Sequence, residues 1–441
     1  MRHAIPLLIQ LILSTAAPPS IAIRNVTVLP MDGEHVLAGH TVVVKDGTVT
    51  RMGPTSEVPI PSDAVTIDGT GRFLMPGLVD AHVHLASNTE EQQRALLTMF
   101  VVNGVTTVVN LRGTPQILAL RAAVAGGTVF GPTLYTAGPY VNEPFVTTPD
   151  EVERAVVEQR RDGYDFVKLH GDLSRDAYAR LNAVARREGL RVIGHAPRNL
   201  GLDVMFEERQ YALAHAEEFL YDQENTSKNF HLIEPRIPEL TRSMVAGGIW
   251  LMPNLTAFKT IGAMVRDLNG ILARQEMRYL PAAVQDGWGP ATNPYTNRLG
   301  PEQVQKIQVR YQLLEKLVRA FQAGGVRLLI GTDAMNTGVV PGFSVHDELA
   351  DLVAAGLTPF EALRAATANG AEFLGVGRKQ GLVAAGQAAD LVLLDADPLM
   401  DVAHSRRIAG VMLRGRWIPR SEIDSTLERL AQEAAAAPRL P

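Results

Sequence analysis

The octapeptide Gly77-Leu78-Val79-Asp80-Ala81-His82-Val83-His84 carries two histidines in alternation. On a β-strand, positions i and i+2 face the same way, so His82 and His84 present two imidazoles side by side, a clamp for a divalent cation. A bare His-x-His recurs by chance and packs in a core or faces solvent as readily as it binds metal, so its meaning comes from the residues that accompany it. Lys168 closes the β-rich run Asp165-Phe166-Val167-Lys168-Leu169-His170, in a chain with only seven lysines among its 42 basic residues. A desolvated amine sheds its proton and adds carbon dioxide, giving a carbamate whose two anionic oxygens can bridge two metals. Arginine stays protonated and cannot do this. The competing uses of such a lysine are an ion pair with a buried acid or an ammonium that reaches the rim.

His195, in Arg191-Val192-Ile193-Gly194-His195, and His215, in Tyr211-Ala212-Leu213-Ala214-His215, each close another β-rich run. Asp333 ends the apolar run Leu328-Leu329-Ile330-Gly331-Thr332-Asp333. Aspartate is a poor strand residue, so it either breaks a local rule where chemistry is done or caps the next segment. Of the 11 histidines, residues 82, 84, 170, 195 and 215 fall at predicted strand ends. His3, His35, His40, His231 and His404 read as surface residues, and His346 as a supporting or helix-capping residue.

These runs need a scaffold that gathers strand ends at one face. From Leu74 to about Gly381, β-rich runs ending near His84, Leu111, Gly138, Leu169, His195, His215, Pro253 and Asp333 alternate with helical patterns such as Glu151–Arg161, Arg175–Glu188 and Val304–Ala323. Eight such units predict an α/β fold, a (β/α)8 TIM barrel over 74–381, whose catalytic groups cluster at the C-terminal ends of the strands. The stretch 254–300, with Trp288 and Tyr295, reads as a lid inserted over the mouth. Short strands over 21–73, with the turn signal Lys45-Asp46-Gly47, and again over 382–420 predict one small discontinuous β-sandwich built from both ends of the chain. Residues 421–441 read as a C-terminal helix and tail that docks or pairs with a partner.

The set His82, His84, Lys168, His195, His215 and Asp333 resembles the signature of the amidohydrolase superfamily: His-x-His after barrel strand 1, Lys after strand 4, His after strands 5 and 6, Asp after strand 8. The resemblance extends to Leu357-Thr358-Pro359-Phe360-Glu361-Ala362-Leu363 and Gly386-Gln387-Ala388-Ala389-Asp390-Leu391-Val392, and the lysine is similar to that of the branch of binuclear prolidases and dipeptidases. The resemblance implies two divalent ions, with zinc suited to these ligands. His82, His84 and Asp333 would hold one, His195 and His215 the other, and carboxylated Lys168 would bridge them. It implies a metal-bridged hydroxide as nucleophile and Asp333 as the proton carrier, acting on amide bonds of dipeptides, N-acyl amino acids or similar small substrates. Lactone or ester hydrolysis on the same centre is the first alternative. A one-metal cyclic-amide hydrolase resembling imidazolonepropionase, or a deaminase, is the second, with His215-Ala216-Glu217-Glu218 supplying a His-x-x-Glu. A metal-free scaffold is the last. Candidate substrate contacts are His170, two residues beyond Lys168; Arg112 and Arg198, as carboxylate grips; and Tyr140 and Tyr221, as donors to an oxyanion.

Composition narrows the partners. With 46% apolar and 20% charged residues the chain can build a large core, and its net charge of −5 gives no basic excess to attract nucleic acid or an anionic membrane. Cysteine is absent, which excludes disulfides, thiolate ligands and a cysteine nucleophile. A small molecule is the expected partner, and a homo-oligomer is compatible with the terminal helix. The basic start, the apolar run Ile5–Leu13 and the small residues Ser14–Ala17 read as a signal peptide over 1–20, which would place the protein in the periplasm or outside the cell, and otherwise in the cytoplasm. No stretch is long and apolar enough to read as a membrane span.

Overall fold

The computed structural model describes residues 20–85, 89–221 and 230–437; the signal-peptide reading falls almost wholly outside them. Five strands open the chain: β1 (Ile21–Val28), β2 (Leu37–Lys45), β3 (Thr48–Pro54), β4 (Val65–Asp68) and β5 (Phe73–Pro76). Asp46 and Gly47 join β2 to β3 with φ of 48° and 73°. Two successive left-handed residues twist a hairpin the way its strands twist, which is why Asp-Gly suits the position.

The central strands are β6 (Leu78–Val83), β7 (Val105–Asn110), β8 (Thr133–Thr136), β9 (Val167–Leu169), β10 (Val192–Gly194), β11 (Ala212–Ala214) and β12 (Trp250–Met252). They pair in parallel as β6-β7-β8 and β9-β10-β11-β12. Single parallel bridges join Ala137 to Phe166, Leu251 to Leu328 and Val83 to Ala334. Helices run between the strands, among them Pro149–Asp162, Arg175–Glu188 and Val304–Ala323. The first two start on Thr148 and Ser174, whose hydroxyls accept from backbone N–H groups, and end on left-handed Gly163 and Gly189. The strand predicted over 328–333 differs from expectation. It is held by isolated hydrogen bonds, Leu329 N to Leu251 O at 2.9 Å and Asp333 N to His82 O at 2.8 Å, rather than by a regular ladder. Asp333 has a φ of 60°, which ends any extended run at that residue.

Strands β13 (Leu391–Leu394), β14 (Ile408–Leu413) and β15 (Arg416–Pro419) return to the first five. The order is β15-β14-β13-β5-β1-β2-β3, with β4 beside β1. The molecule is thus a TIM-barrel-like body joined to a sheet drawn from both chain ends. The junction is β5 against β13, immediately before β6 delivers its histidines.

Between the parallel strands, Phe166 stacks on Phe373, and Trp250 meets Phe373 edge-on. This apolar floor explains the height of the site. Phe166 and Ile193 belong to it, and Lys168 and His195 follow two residues further along the chain.

The stretch 254–300 begins with a long helix, Leu255–Leu272, followed by Gln275–Tyr279 and Ala282–Gly287. Helix Arg420–Ala436 docks on its own chain through buried Ile423, Leu430 and Ala434. His346 is neither a helix cap nor a supporter of the site. It is buried, with Nδ1 2.8 Å from Ser405 Oγ and Nε2 3.1 Å from Asn103 O, and so pins three separate segments together. Among the described residues no helix is long and apolar enough to cross a membrane.

Candidate metal centre

His82 and His84 leave the end of β6 and meet Asp333. Asp333 Oδ1 lies 3.2 Å from His82 Nε2 and 2.9 Å from His84 Nε2. One ligand atom from each of the three residues falls within 4.8 Å of the others, a grouping able to hold a metal ion. The His215 ring stands 4.9 Å from that of His82 and 4.9 Å from that of His195. His215 reaches this position through a φ of 71°, which breaks the alternation of β11 and turns the ring into the mouth.

Lys168 is fully buried and its Nζ has no hydrogen-bond partner among the described residues. Its aliphatic stem passes directly over Gly194. A Cβ on Gly194 would stand 2.6 Å from Lys168 Cδ and 2.2 Å from Leu169 O, at a φ of 119°, so glycine is what lets the lysine through. The structure therefore brings together all six residues that the sequence singles out.

Electrostatics prepare these groups as ligands. Burial pushes His82 and His195 well below the usual imidazole range and His215 down to about 3, so their nitrogens are neutral. Burial opposes the charge of Asp333, but His82 and the hydrogen bond from His84 hold the carboxyl well below its ordinary value. Burial draws Lys168 down to about 8, against the attraction of Asp333 and Glu218. Four imidazoles, one carboxylate and a buried amine form a donor set that fits divalent cations.

Four supporting residues escaped the sequence reading. Asp80 is buried; its Oδ1 accepts from His82 N (3.2 Å) and Thr332 N (3.0 Å), and its Oδ2 from Thr332 Oγ1 (2.6 Å). Burial raises its carboxyl to about 7. Asn254 lies 3.3 Å from His82 Nδ1, donates to Gly331 O at 2.7 Å and accepts from His215 N at 3.0 Å. Glu348 accepts from Leu255 N and Thr256 N at 3.0 and 2.7 Å, and so anchors the first turn of the helix that follows Asn254. Asn336 donates to Asp333 Oδ2 at 3.1 Å. Asp80, Asn254 and Glu348 find most of their partners far away in sequence, and Asn336 turns back onto Asp333 three residues earlier only because of the left-handed turn there.

A cavity of about 680 Å³ opens above the cluster. His170, Arg112, Tyr140 and Tyr221 line it. Tyr140 stacks on His170 with centroids 4.5 Å apart, the Arg112 guanidinium sits 5.3 Å from the Tyr140 ring, and His170 adjoins His195 at 4.7 Å. Burial lowers His170 to about 4 and raises Tyr221 to about 12. Arg198 differs from expectation: its guanidinium is engaged by Glu218, whose side chain is fully buried and also accepts from His195 Nδ1 at 3.0 Å. That carboxylate fixes the His195 ring and directs Nε2 outward. The far wall is apolar, with Phe258, Ile261, Leu299 and Ile307, and the half-buried Glu217, which burial raises to about 7, completes the lining.

A sequence model of the amidohydrolase family matches residues 73–418. The solved structure of a bottromycin amidohydrolase superposes with a TM-score of 0.75 at 24% identity, covering 95% of this chain and 92% of that one. A Xaa-Pro dipeptidase with bound methionine in its active site superposes with a TM-score of 0.70 at 18% identity, covering 91% and 100%. At these identities the likeness is one of fold. The adenine deaminase of Ruegeria sp. (strain TM1040) is 34% identical over 79 residues, a match that spans 17% of this chain and 13% of that relative's length.

Proposed function

Since the chain belongs to the amidohydrolase family, we propose that it is a metal-dependent hydrolase of amide bonds in small substrates such as dipeptides and N-acyl amino acids. The observation that carries this reading is the buried Lys168 amine, without a hydrogen-bond partner, beside His82, His84, His195, His215 and Asp333. In this reading the amine would be carboxylated and would serve as a ligand shared by two ions, zinc being the best match. His82, His84 and Asp333 would hold one ion, and His195 and His215 the other. Such ions, when bound, lower the pKa of water and polarise the scissile carbonyl. Asp333 takes the proton of the attacking water and returns it to the leaving nitrogen. Arg112, Tyr140, His170 and Tyr221 line the substrate's place, and Arg198 acts through Glu218 on His195.

We further propose that the parallel strands close into a complete eight-stranded barrel over 74–381, that 254–300 is its lid, and that 21–73 with 382–420 forms a composite sandwich. The bridges from Val83 to Ala334 and from Leu251 to Leu328 support closure.

The likeness to an adenine deaminase and the compact His82, His84, Asp333 trio favour a one-metal reading as the second choice. Against it, Glu218 of the His-x-x-Glu already accepts from His195 and Arg198, and Lys168 would have no task. Lactone and ester cleavage remains the alternative on a two-metal centre. A panel of N-acyl amino acids, dipeptides and lactones tests the substrate class. Amide turnover that depends on added zinc supports the proposal; lactone turnover with no amide cleavage overturns it.

A further inference from the structure

Tyr295 lies in the turn-rich part of the 254–300 stretch. Its hydroxyl donates to Asn336 Oδ1 at 3.0 Å, which also accepts from Thr337 N at 2.8 Å. Two donors on the amide oxygen fix its orientation, leaving Nδ2 to donate to Asp333 Oδ2 at 3.1 Å. The other oxygen of Asp333 faces His82 and His84. Every other hydrogen bond made by residues 288–300 stays within 254–303, so among the described residues Tyr295 to Asn336 is the polar tie from residues 288–300 to the rest of the molecule, whereas the helix before them is held separately by Asn254, Lys259 and Arg274.

We infer that Asn336 is a positioning residue for the proton-carrying carboxylate and that Tyr295 latches residues 288–300 onto it. This inference rests on the reading of Asp333 as proton carrier. During hydrolysis the water oxygen bonds to the carbonyl carbon while a water proton passes to Asp333. The C–N bond then breaks with its electron pair on nitrogen, and nitrogen receives that proton. With Oδ2 held by the amide of Asn336, the carboxylate is kept in one orientation while the proton is taken and returned. The latch couples this alignment to the seating of residues 288–300, whose Tyr295 and Leu299 line the cavity.

The test compares Tyr295→Phe, which removes one hydroxyl, and Asn336→Ala with the wild type, all loaded with zinc. Two substrates share an acyl group. One is an alkylamide, whose leaving nitrogen must be protonated; the other is a nitrophenyl ester, whose leaving oxygen need not be. Expected for both variants is a loss of about 10–100-fold in kcat on the amide, of the size usual for residues that orient a reacting group, with less than about threefold loss on the ester, little change in KM and unchanged zinc content. Trypsin should also cleave the zinc-free Tyr295→Phe protein within 254–300 several-fold faster than the wild type. Equal losses on both substrates, wild-type kcat in both variants, loss of zinc, or unchanged proteolysis of Tyr295→Phe would overturn the inference. A wild type that cleaves neither substrate would instead count against the hydrolase reading, and the proteolysis comparison would still decide the latch.

Discussion

Replacing Lys168 by methionine should stabilise the metal-free protein while crippling the metal-loaded one. The amine is buried without a partner, and burial lowers its pKa from 10.5 to about 8. The unfolded chain keeps the ordinary value. Below pH 8 both states are protonated and folding bears the whole cost of the buried charge, about 3 kcal/mol at 1.36 kcal/mol per tenfold. Between pH 8 and 10.5 only the unfolded state binds the proton, so the cost declines as pH rises and is gone above 10.5. Methionine is of similar length, apolar and adaptable, so it fills the channel over Gly194 without the amine. Urea unfolding of chelator-treated wild type and Lys168→Met should therefore show the variant more stable by about 3 kcal/mol at pH 7, with the gain falling towards zero at pH 10.5. With zinc added the order should reverse, because ions bound to the native wild type stabilise it by mass action. A variant less stable at pH 7 without metal, or a gain independent of pH, would refute the electrostatic account of this lysine.

Further expectations follow from the residues around the cluster. Glu218→Gln removes the carboxylate that orients His195 and engages Arg198; metal affinity, read by chelator competition, should fall by about 10–100-fold. Arg112→Ala should raise KM for carboxylate-bearing substrates at near-constant kcat, whereas Arg198→Ala should weaken metal binding. The same KM effect from both variants would contradict the engagement of Arg198 by Glu218. Glu348→Ala strips two backbone N–H groups of their acceptor and should cost about 2–4 kcal/mol in denaturant unfolding, with Glu348→Gln recovering part of it.

The chemistry-bearing residues were legible because each sits at the end of a β-rich run, where type and position are both visible. Helices Arg175–Glu188 and Val304–Ala323 were legible from their apolar spacing, and the turn at Asp46-Gly47 from its dipeptide. What escaped depends on contacts across the fold. Asp80 meets Thr332 across 252 positions and Asn254 meets His82 across 172, and neither stands in a pattern of its own. Arg198 looked available because sequence cannot show a buried Glu218 beside it. His346 looked poised for the site because its distance from the mouth is set by helix packing rather than by its neighbours in sequence. The segment 328–333 read as a regular strand because its apolar run hides the left-handed turn at Asp333.

The central claim is that Lys168 completes a centre for two cations. The most direct measurement is the zinc content of protein reconstituted in bicarbonate-containing buffer, wild type against Lys168→Ala, with and without a short carboxylic acid. The account predicts about two ions per chain in the wild type, about one in the variant, and partial recovery of the second ion with the acid. One ion per chain in both proteins, or two in both, would contradict it.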